Sequence, residues 1–378
     1  MPTYENYDLT YITIDSLSEG VGSSQVTPLI TRLSKSGLKI SLISFEKSAP
    51  SNQLLNHFKS INVEWNSQPF GSNGLFGGVR RLNQLRQEIP RTNLIHARSE
   101  IPAVSGLAAQ EAPVLWDVRS LWADQKVMIQ KDVLNKSLYH LYRGLESVAA
   151  NGSSGISTLT SAVIPILEKR HKKLPQIRTV VPTAVDLNRF RMNPDMPNKV
   201  MALFSGTYND YYDLTLSAQF MEELRKLTSV ETHWARPIES DKSIIGVGET
   251  RVFPATYSYM PELIPNYSFG VSVCKLDAGP SLSAAMPTKI AEFLASGRPI
   301  VVNKGLGDMD EFIKEFEVGV ILDGTRENLK ESAYRLIDLL SDAGTPQRCR
   351  DLAEKYFSMD IGASKYIQIY SQILGTRI

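Results

Sequence analysis

Short apolar runs alternate with stretches whose apolar residues recur every three or four positions, the pattern of buried strands and amphipathic helices in turn. Residues 9–14 read as a strand. Val26, Leu29, Ile30 and Leu33 mark a helix ending near Gly37, and residues 38–45 read as the next strand, so the chain opens on a βαβ unit of a parallel sheet. A helix and a strand follow in 50–64. Residues 66–77, rich in Gly, Asn and Ser, predict a long mobile loop before a helix over 79–89. Strands are expected at 93–98, 114–117, 155–158 and 177–181. Between them lie a helix from Pro102, a helix over 133–150 striped by Leu134, Leu138, Leu141, Tyr142 and Leu145, and a helix starting at Ser161. The pattern repeats from Val200, with strands at 200–204, 231–235, 250–253, 269–274, 300–302 and 318–322. Helices are read at 214–227, 260–264, 287–296, 310–316, 326–341, 346–357 and 360–374. The expectation is α/β, with two Rossmann-like domains: 1–190, then 200–357, joined by the proline-bearing segment 193–199, and 358–378 as a terminal helix.

Bulk properties narrow the class. A chain of 378 residues is too long for one ordinary core. Its 41 basic and 40 acidic residues make no field suited to non-specific nucleic-acid binding. Cys274 and Cys349 stand apart, without a CxxC or nearby histidines, which argues against a zinc site or disulfide framework and fits a reducing cytosol. The start lacks the form of a signal peptide, and no apolar run reaches the roughly 18–20 residues that span a bilayer. A cytoplasmic protein is expected, at most peripheral at the inner face of a membrane. Arg80 and Arg81 at a helix start suit an anionic lipid surface or lipid-linked acceptor, although a solvated helix face is the leading reading.

Residues 279–308, GPSLSAAMPTKIAEFLASGRPIVVNKGLGD, organise the rest. Ser281 and Ser283 lie in a small-residue loop. Pro287 suits a first helical turn, Ile290, Phe293 and Leu294 share a face, and Gly297 ends the helix. Ile300–Val302 is a strand buried on both faces, with Asn303, Gly305, Gly307 and Asp308 at its carboxyl end, where open α/β sheets bind ligands. Helix-start N–H groups and Lys289 favour an anion, and the Glu292 carboxylate accepts hydroxyl hydrogen bonds. The chemistry fits a sugar nucleotide or sugar phosphate.

The run Pro287-Thr288-Lys289, Glu292-Phe293-Leu294-Ala295, Gly297-Arg298-Pro299-Ile300-Val301 resembles the donor-binding motif of family 4 glycosyltransferases, and Asn303 through Asp308 resembles its continuation in a subgroup that builds bacterial surface polysaccharides. The resemblance implies a GT-B fold, two Rossmann-like domains facing across a cleft. It implies that the terminal helix crosses back to the first domain, that transfer retains anomeric configuration, and that no metal is needed. Together with the loop and helix-start chemistry of the residues themselves, it places the activated donor at Gly20, Gly22, Gly206, Thr207, Ser281, Ser283, Thr288, Lys289, Glu292, Asn303 and Asp308. On the bottom-up reading, Gly20-Val21-Gly22 lacks the third glycine of a dinucleotide fingerprint, and a tight turn explains it as well.

The segments HARS and WDVRSLWADQ resemble the family's "H-x-R-S" and "D-x-R-G-x-W-x-D", with Ser120 for the usual glycine and Gln125 where an acid is common. Arg98, Asp117 and Arg119 are therefore candidates for the acceptor side, and His96 and Asp124 are candidate bases beside Lys289 and Glu292. The alternative is an internal Arg–Asp network that holds loops. Two further departures bear on the donor. No basic residue follows Gly206 before Arg225, and Ala284 stands where the family's first carboxylate would fall. These leave UDP, GDP, CMP or pyrophosphate open as leaving group. The expected partners are an activated sugar and a glycan or lipid-linked acceptor. A non-catalytic binding protein and a sugar-nucleotide epimerase or hydrolase are the rival readings. With five histidines in the chain, the latter lacks a dense set of acids and histidines.

Overall fold

A computed structural model describes residues 6–72, 74–109, 112–129, 133–207, 209–237 and 250–376. Tyr208, the Leu134 side chain and residues 1–5 lie outside the described residues.

Two parallel sheets carry the chain. In the first, β1 (Tyr7–Ile12), β2 (Ile40–Glu46), β3 (Val63–Pro69), β4 (Thr92–Arg98), β5 (Val114–Val118), β6 (Gly155–Thr158) and β7 (Ile177–Val180) stand in the order β3-β2-β1-β4-β5-β6-β7. In the second, β8 (Val200–Ser205), β9 (Val230–Arg236), β10 (Thr250–Pro254), β11 (Phe269–Ser272), β12 (Ile300–Asn303) and β13 (Gly319–Leu322) stand in the order β10-β9-β8-β11-β12-β13. Strand order reverses between β1 and β4, and again between β8 and β11. The crevice beyond the strand ends at such a point is where this architecture takes ligands. The central strands are buried on both faces because helices cover both sides.

The terminal helix, Met359–Leu374, returns to the first sheet. Tyr366, Ile369 and Tyr370 join Leu9, Leu29, Ile30 and Leu33 in one apolar cluster. Burying an apolar side chain of this size contributes roughly 1.5–3 kcal/mol, so this helix belongs energetically to the first half. Where the chain returns to the first half, it pairs with the outgoing segment. Val185 N–H donates to Phe357 O at 2.7 Å and Met359 N–H to Val185 O at 3.0 Å. Beyond it, two arginines fasten the connecting segment to the second half. Buried Arg298 donates to the carbonyls of Asp195 and Pro265, and Arg350 to those of Phe190 and Ala295.

The expected mobile loop at 66–77 is corrected. β3 runs to Pro69, and a helix, Gly74–Glu88, already starts within that span. β3 is an edge strand paired only with β2, so its polar residues are tolerated, and Asn66 and Gln68 accept or donate hydrogen bonds to Glu88 and Gln84 of that helix. Arg81 is buried there, 4.4 Å from the Phe70 ring centre and donating to the carbonyls of Phe70 and Ser72. It is therefore withdrawn from the lipid surface that sequence suggested, whereas Arg80 stays exposed. The small-residue stretch after β1 is likewise shorter than expected, because Gly22–Val26 forms a π-helical turn running into the helix Thr27–Lys35.

Candidate functional site

The carboxyl end of the second sheet gathers residues from three segments. Gly206, directly after β8, holds φ at +83°, a left-handed conformation that suits glycine, and a Cβ there would lie 4.0 Å from Lys289 Nζ. Lys289 belongs to the helix Thr288–Ala295 and sits 4.3 Å above the Tyr212 ring, which is the neighbouring loop's contribution. Tyr212 is fixed by a bridge to Cys274 at the end of β11, and Tyr211 donates to Ser281 O at 3.0 Å. Glu292 lies one turn further along the same helix face. The two charged side chains are only 9% and 6% exposed.

Burial decides their electrostatics. It pushes the Lys289 ammonium from 10.5 down to about 8, against the opposing pull of Cys274 and Glu292. It pushes the Glu292 carboxyl from 4.5 up to about 7, although Lys289 and Arg189 act the other way. Both groups thus sit near neutral pH, where an arriving anion or hydroxyl shifts their charge with little work.

The remaining donor-side candidates occupy different places. Thr207 is exposed after Gly206, and Thr288 opens the Lys289 helix half-buried. Ser281 Oγ donates to Ala278 O, and Asn303 is wholly buried, accepting from Cys274 N–H at 2.7 Å and so tying β12 to β11. Asp308 reaches the first half. Its carboxylate accepts from Ser161 N–H, Ser161 Oγ and Ala162 N–H at 2.7, 2.9 and 2.9 Å. Beside it, Thr160 Oγ1 donates to Ser283 O and Thr183 Oγ1 to Met286 O, so 283–286 and 308 form a seam between the halves. Gly307 lies in that seam with φ +52°, and a Cβ there would stand 2.6 Å from Ala285 O. Asp310, the other acid of the Asp308-Met309-Asp310 run, accepts from Gly305 N–H. Ala284 is 2% exposed and packs into the apolar cluster of the first half that includes Val118 and Leu121. In the first half, Gly20 is exposed with φ +53°. Gly22 is buried, and a Cβ on it would fall 2.0 Å from Ser16 O.

The first-half candidates form a buried polar network instead of an open array. Asp117 accepts from Arg119, Ser157 and Tyr366. Arg98 pairs with Asp15 at 2.7 Å and stands 3.6 Å from Asp117. His96 has no exposed surface, its Nδ1 is 2.6 Å from Tyr370 Oη, and its Nε2 is 3.4 Å from Asp117. Burial pushes the Asp117 carboxyl up, but Arg119, His96 and Arg98 together hold it well below the usual carboxylate range. Burial lowers the His96 pKa, so the ring is neutral at pH 7. Asp124 lies elsewhere, in a two-toothed pair with Arg170 at 2.8 and 2.9 Å.

Sequence reading passed over three contributors. Glu46, at the end of β2, accepts from Ser16 Oγ, Leu17 N–H and Ser18 Oγ and so pins the loop after β1. Tyr257 and Arg189 interact electrostatically with Glu292, and the Arg189 guanidinium lies 5.0 Å from the Tyr257 ring centre. An acid closing a buried strand was the one available signal for Glu46. Nothing local marked the other two.

The two-sheet architecture can be compared with solved structures. A sucrose-phosphate synthase from Thermosynechococcus elongatus matches over 97% of this chain and 99% of its own, with TM-score 0.71 and 12% identity. Anabaena HepE in complex with UDP and glucose matches over 97% and 100%, with TM-score 0.65 and 14% identity. The chain has the GT-B fold. WaaG, a glycosyltransferase involved in lipopolysaccharide biosynthesis, shares that fold over 97% of this chain and 100% of its own, with TM-score 0.64 and 14% identity. No protein-family model matches the chain, and no curated protein matches it in sequence. Within the GT-B fold, the Gly206–Lys289–Glu292 group lies on the second half and the seam at Asp308 joins the second half to the first.

Proposed function

We propose that this chain is a glycosyltransferase that moves a glycosyl unit from an activated sugar to a glycan or lipid-linked acceptor in surface-polysaccharide synthesis. The observation that carries the reading is the convergence of Gly206, Lys289 and Glu292 at the carboxyl end of the second sheet. Support comes from a fold shared with HepE, whose structures hold UDP and UDP-glucose. In this reading 1–190 is the acceptor domain, 200–357 the donor domain, and 358–378 the crossing helix.

The chemistry follows from charge. As the glycosidic bond to phosphate breaks, negative charge grows on the departing oxygen, and an ammonium already in place stabilises it without reorganising solvent. Lys289 takes that role, with backbone N–H groups near Gly206 and Ser281–Ser283, so that no metal is needed. Glu292 receives hydroxyls of the donor. Transfer retains anomeric configuration, and the departing phosphate oxygen takes the acceptor proton. His96 lies beneath Tyr370 and Asp124 is held by Arg170, so neither serves as base. The site of action is the cytoplasm or the inner membrane face.

Calorimetric titration with UDP, GDP, CMP, dTDP and inorganic pyrophosphate, followed by donor-dependent product formation, tests the reading. Binding of one of them that is lost in Lys289→Met supports it. No binding by any of them sinks it. Binding without transfer to any acceptor would favour a non-catalytic carrier, the reading to which the apolar setting of Ala284 lends weight.

A further inference from the structure

The loop after Gly206 carries no basic residue before Arg225, but it carries an aromatic pair, Tyr211 and Tyr212. We propose that Tyr212 is a positioning residue of the donor site, whose ring holds the Lys289 ammonium charged and in place beside the Gly206 turn. The use of that charge to grip a phosphate rests on the donor reading above.

Lys289 Nζ stands 4.3 Å from the Tyr212 ring centre, inside the roughly 6 Å over which a ring face attracts a cation. The same nitrogen lies 4.0 Å from where a Cβ on Gly206 would stand. The ring is held in its place, because residues 211–213 are zipped to the chain at the end of β11. Lys275 N–H donates to Tyr211 O and Asp213 N–H to Val273 O, both at 3.0 Å, with Tyr212 bridged to Cys274 between them. Tyr211 stands edge-on to Tyr212, with ring centres 6.4 Å apart, and its hydroxyl donates to Ser281 O at 3.0 Å.

Charge explains why a ring is the useful partner. Lys289 is 9% exposed and has lost most of its hydration. The titratable groups around it are Glu292 on its own helix, Cys274 at the end of β11, and Tyr211 and Tyr212 on the loop. Burial pushes the Cys274 thiol up to about 12 and both phenols above their usual range, so these three are neutral at pH 7. Glu292, pushed up to about 7, changes its charge in that range. A carboxylate that steadied the ammonium would also repel an arriving phosphate. The ring attracts the ammonium through its quadrupole, adds no net charge, and keeps doing so while Glu292 titrates.

The test follows the Lys289 ammonium by nuclear magnetic resonance with isotope-labelled lysine Cε, its signal assigned by its absence in Lys289→Met. Wild type should titrate at about 8. Tyr212→Phe should match it, and Tyr212→Leu should titrate about one pH unit lower. A fluorinated phenylalanine at position 212, which keeps the shape and weakens the ring face, should fall between the two. Calorimetric titration with inorganic pyrophosphate reads the consequence. With only the ammonium form binding, Tyr212→Leu should equal wild type at pH 6 and bind about ninefold more weakly at pH 9. An unmoved midpoint in both Tyr212→Leu and the fluorinated variant overturns the inference. So does a Tyr212→Phe midpoint displaced as far as that of Tyr212→Leu, because the hydroxyl would then be the agent. A loss of affinity equal at both pH values also overturns it, since a displaced loop would explain that and a lost charge would not. If the midpoints move as expected but wild type binds no pyrophosphate, the hold of the ring on Lys289 stands and the donor reading falls.

Discussion

Replacing Glu292 by glutamine keeps the shape of the side chain and removes its charge. In the folded chain the carboxyl is 6% exposed, and burial raises its pKa from 4.5 to about 7 despite Lys289 and Arg189. The folded state therefore holds a proton that the unfolded state releases between these two values. Stability must fall as pH rises through that window. The rise is equivalent to about 3 kcal/mol once the group is ionised in both states, and to about 1 kcal/mol at pH 5, where the folded carboxyl is still protonated. Lys289 gives the opposite slope at higher pH. Its folded value of about 8 lies below 10.5, so stability recovers as pH climbs between them, and this happens in both proteins. Glu292→Gln should thus be more stable than wild type, by about 1 kcal/mol at pH 5 and about 3 kcal/mol at pH 8. Urea denaturation of both proteins at the two pH values reads this directly. Donor-analogue binding should be lost in the same variant. A difference that does not change with pH, or a variant weaker than wild type at pH 8, would refute the claim that an ionised Glu292 is held at the expense of stability.

Three other outcomes are expected. Asp308→Ala strips the acceptor from Ser161 and Ala162; the halves should separate further in small-angle scattering while circular dichroism stays the same, and an unchanged scattering profile would count against the seam. Ala284→Glu, which restores the acid seen in the resembling family, should lower stability by about 3 kcal/mol or more and gain no donor affinity, because the carboxylate enters an apolar cluster; calorimetric melting checks it. Gly307→Ala should cost about 1–3 kcal/mol in denaturation experiments, since the new Cβ meets Ala285 O at 2.6 Å on a backbone with φ +52°.

The order of strands and helices was legible because hydrophobic periodicity is local. A buried run such as Ile300–Val302 and a stripe such as Ile290, Phe293 and Leu294 announce themselves within ten residues, and together they imply a parallel sheet in each half. Lys289 and Glu292 are three apart on a helix, so their shared face also followed from spacing. Polar residues on the edge strand β3 were misread as loop, since an edge needs only one partner and carries a weak signal.

Long-range pairing was settled by tertiary structure alone. Asp308 finds Ser161 across 147 positions, and His96 finds Tyr370 across 274. The charge of Arg189 acts on Glu292 from the far side of β8, and Glu46 clamps a loop thirty residues behind it. Sequence determined which groups carry charge and which helix or strand bears them. Which of these charges are buried, and against which partner, depends on how two sheets pack, and desolvation together with that partner sets each group's chemistry.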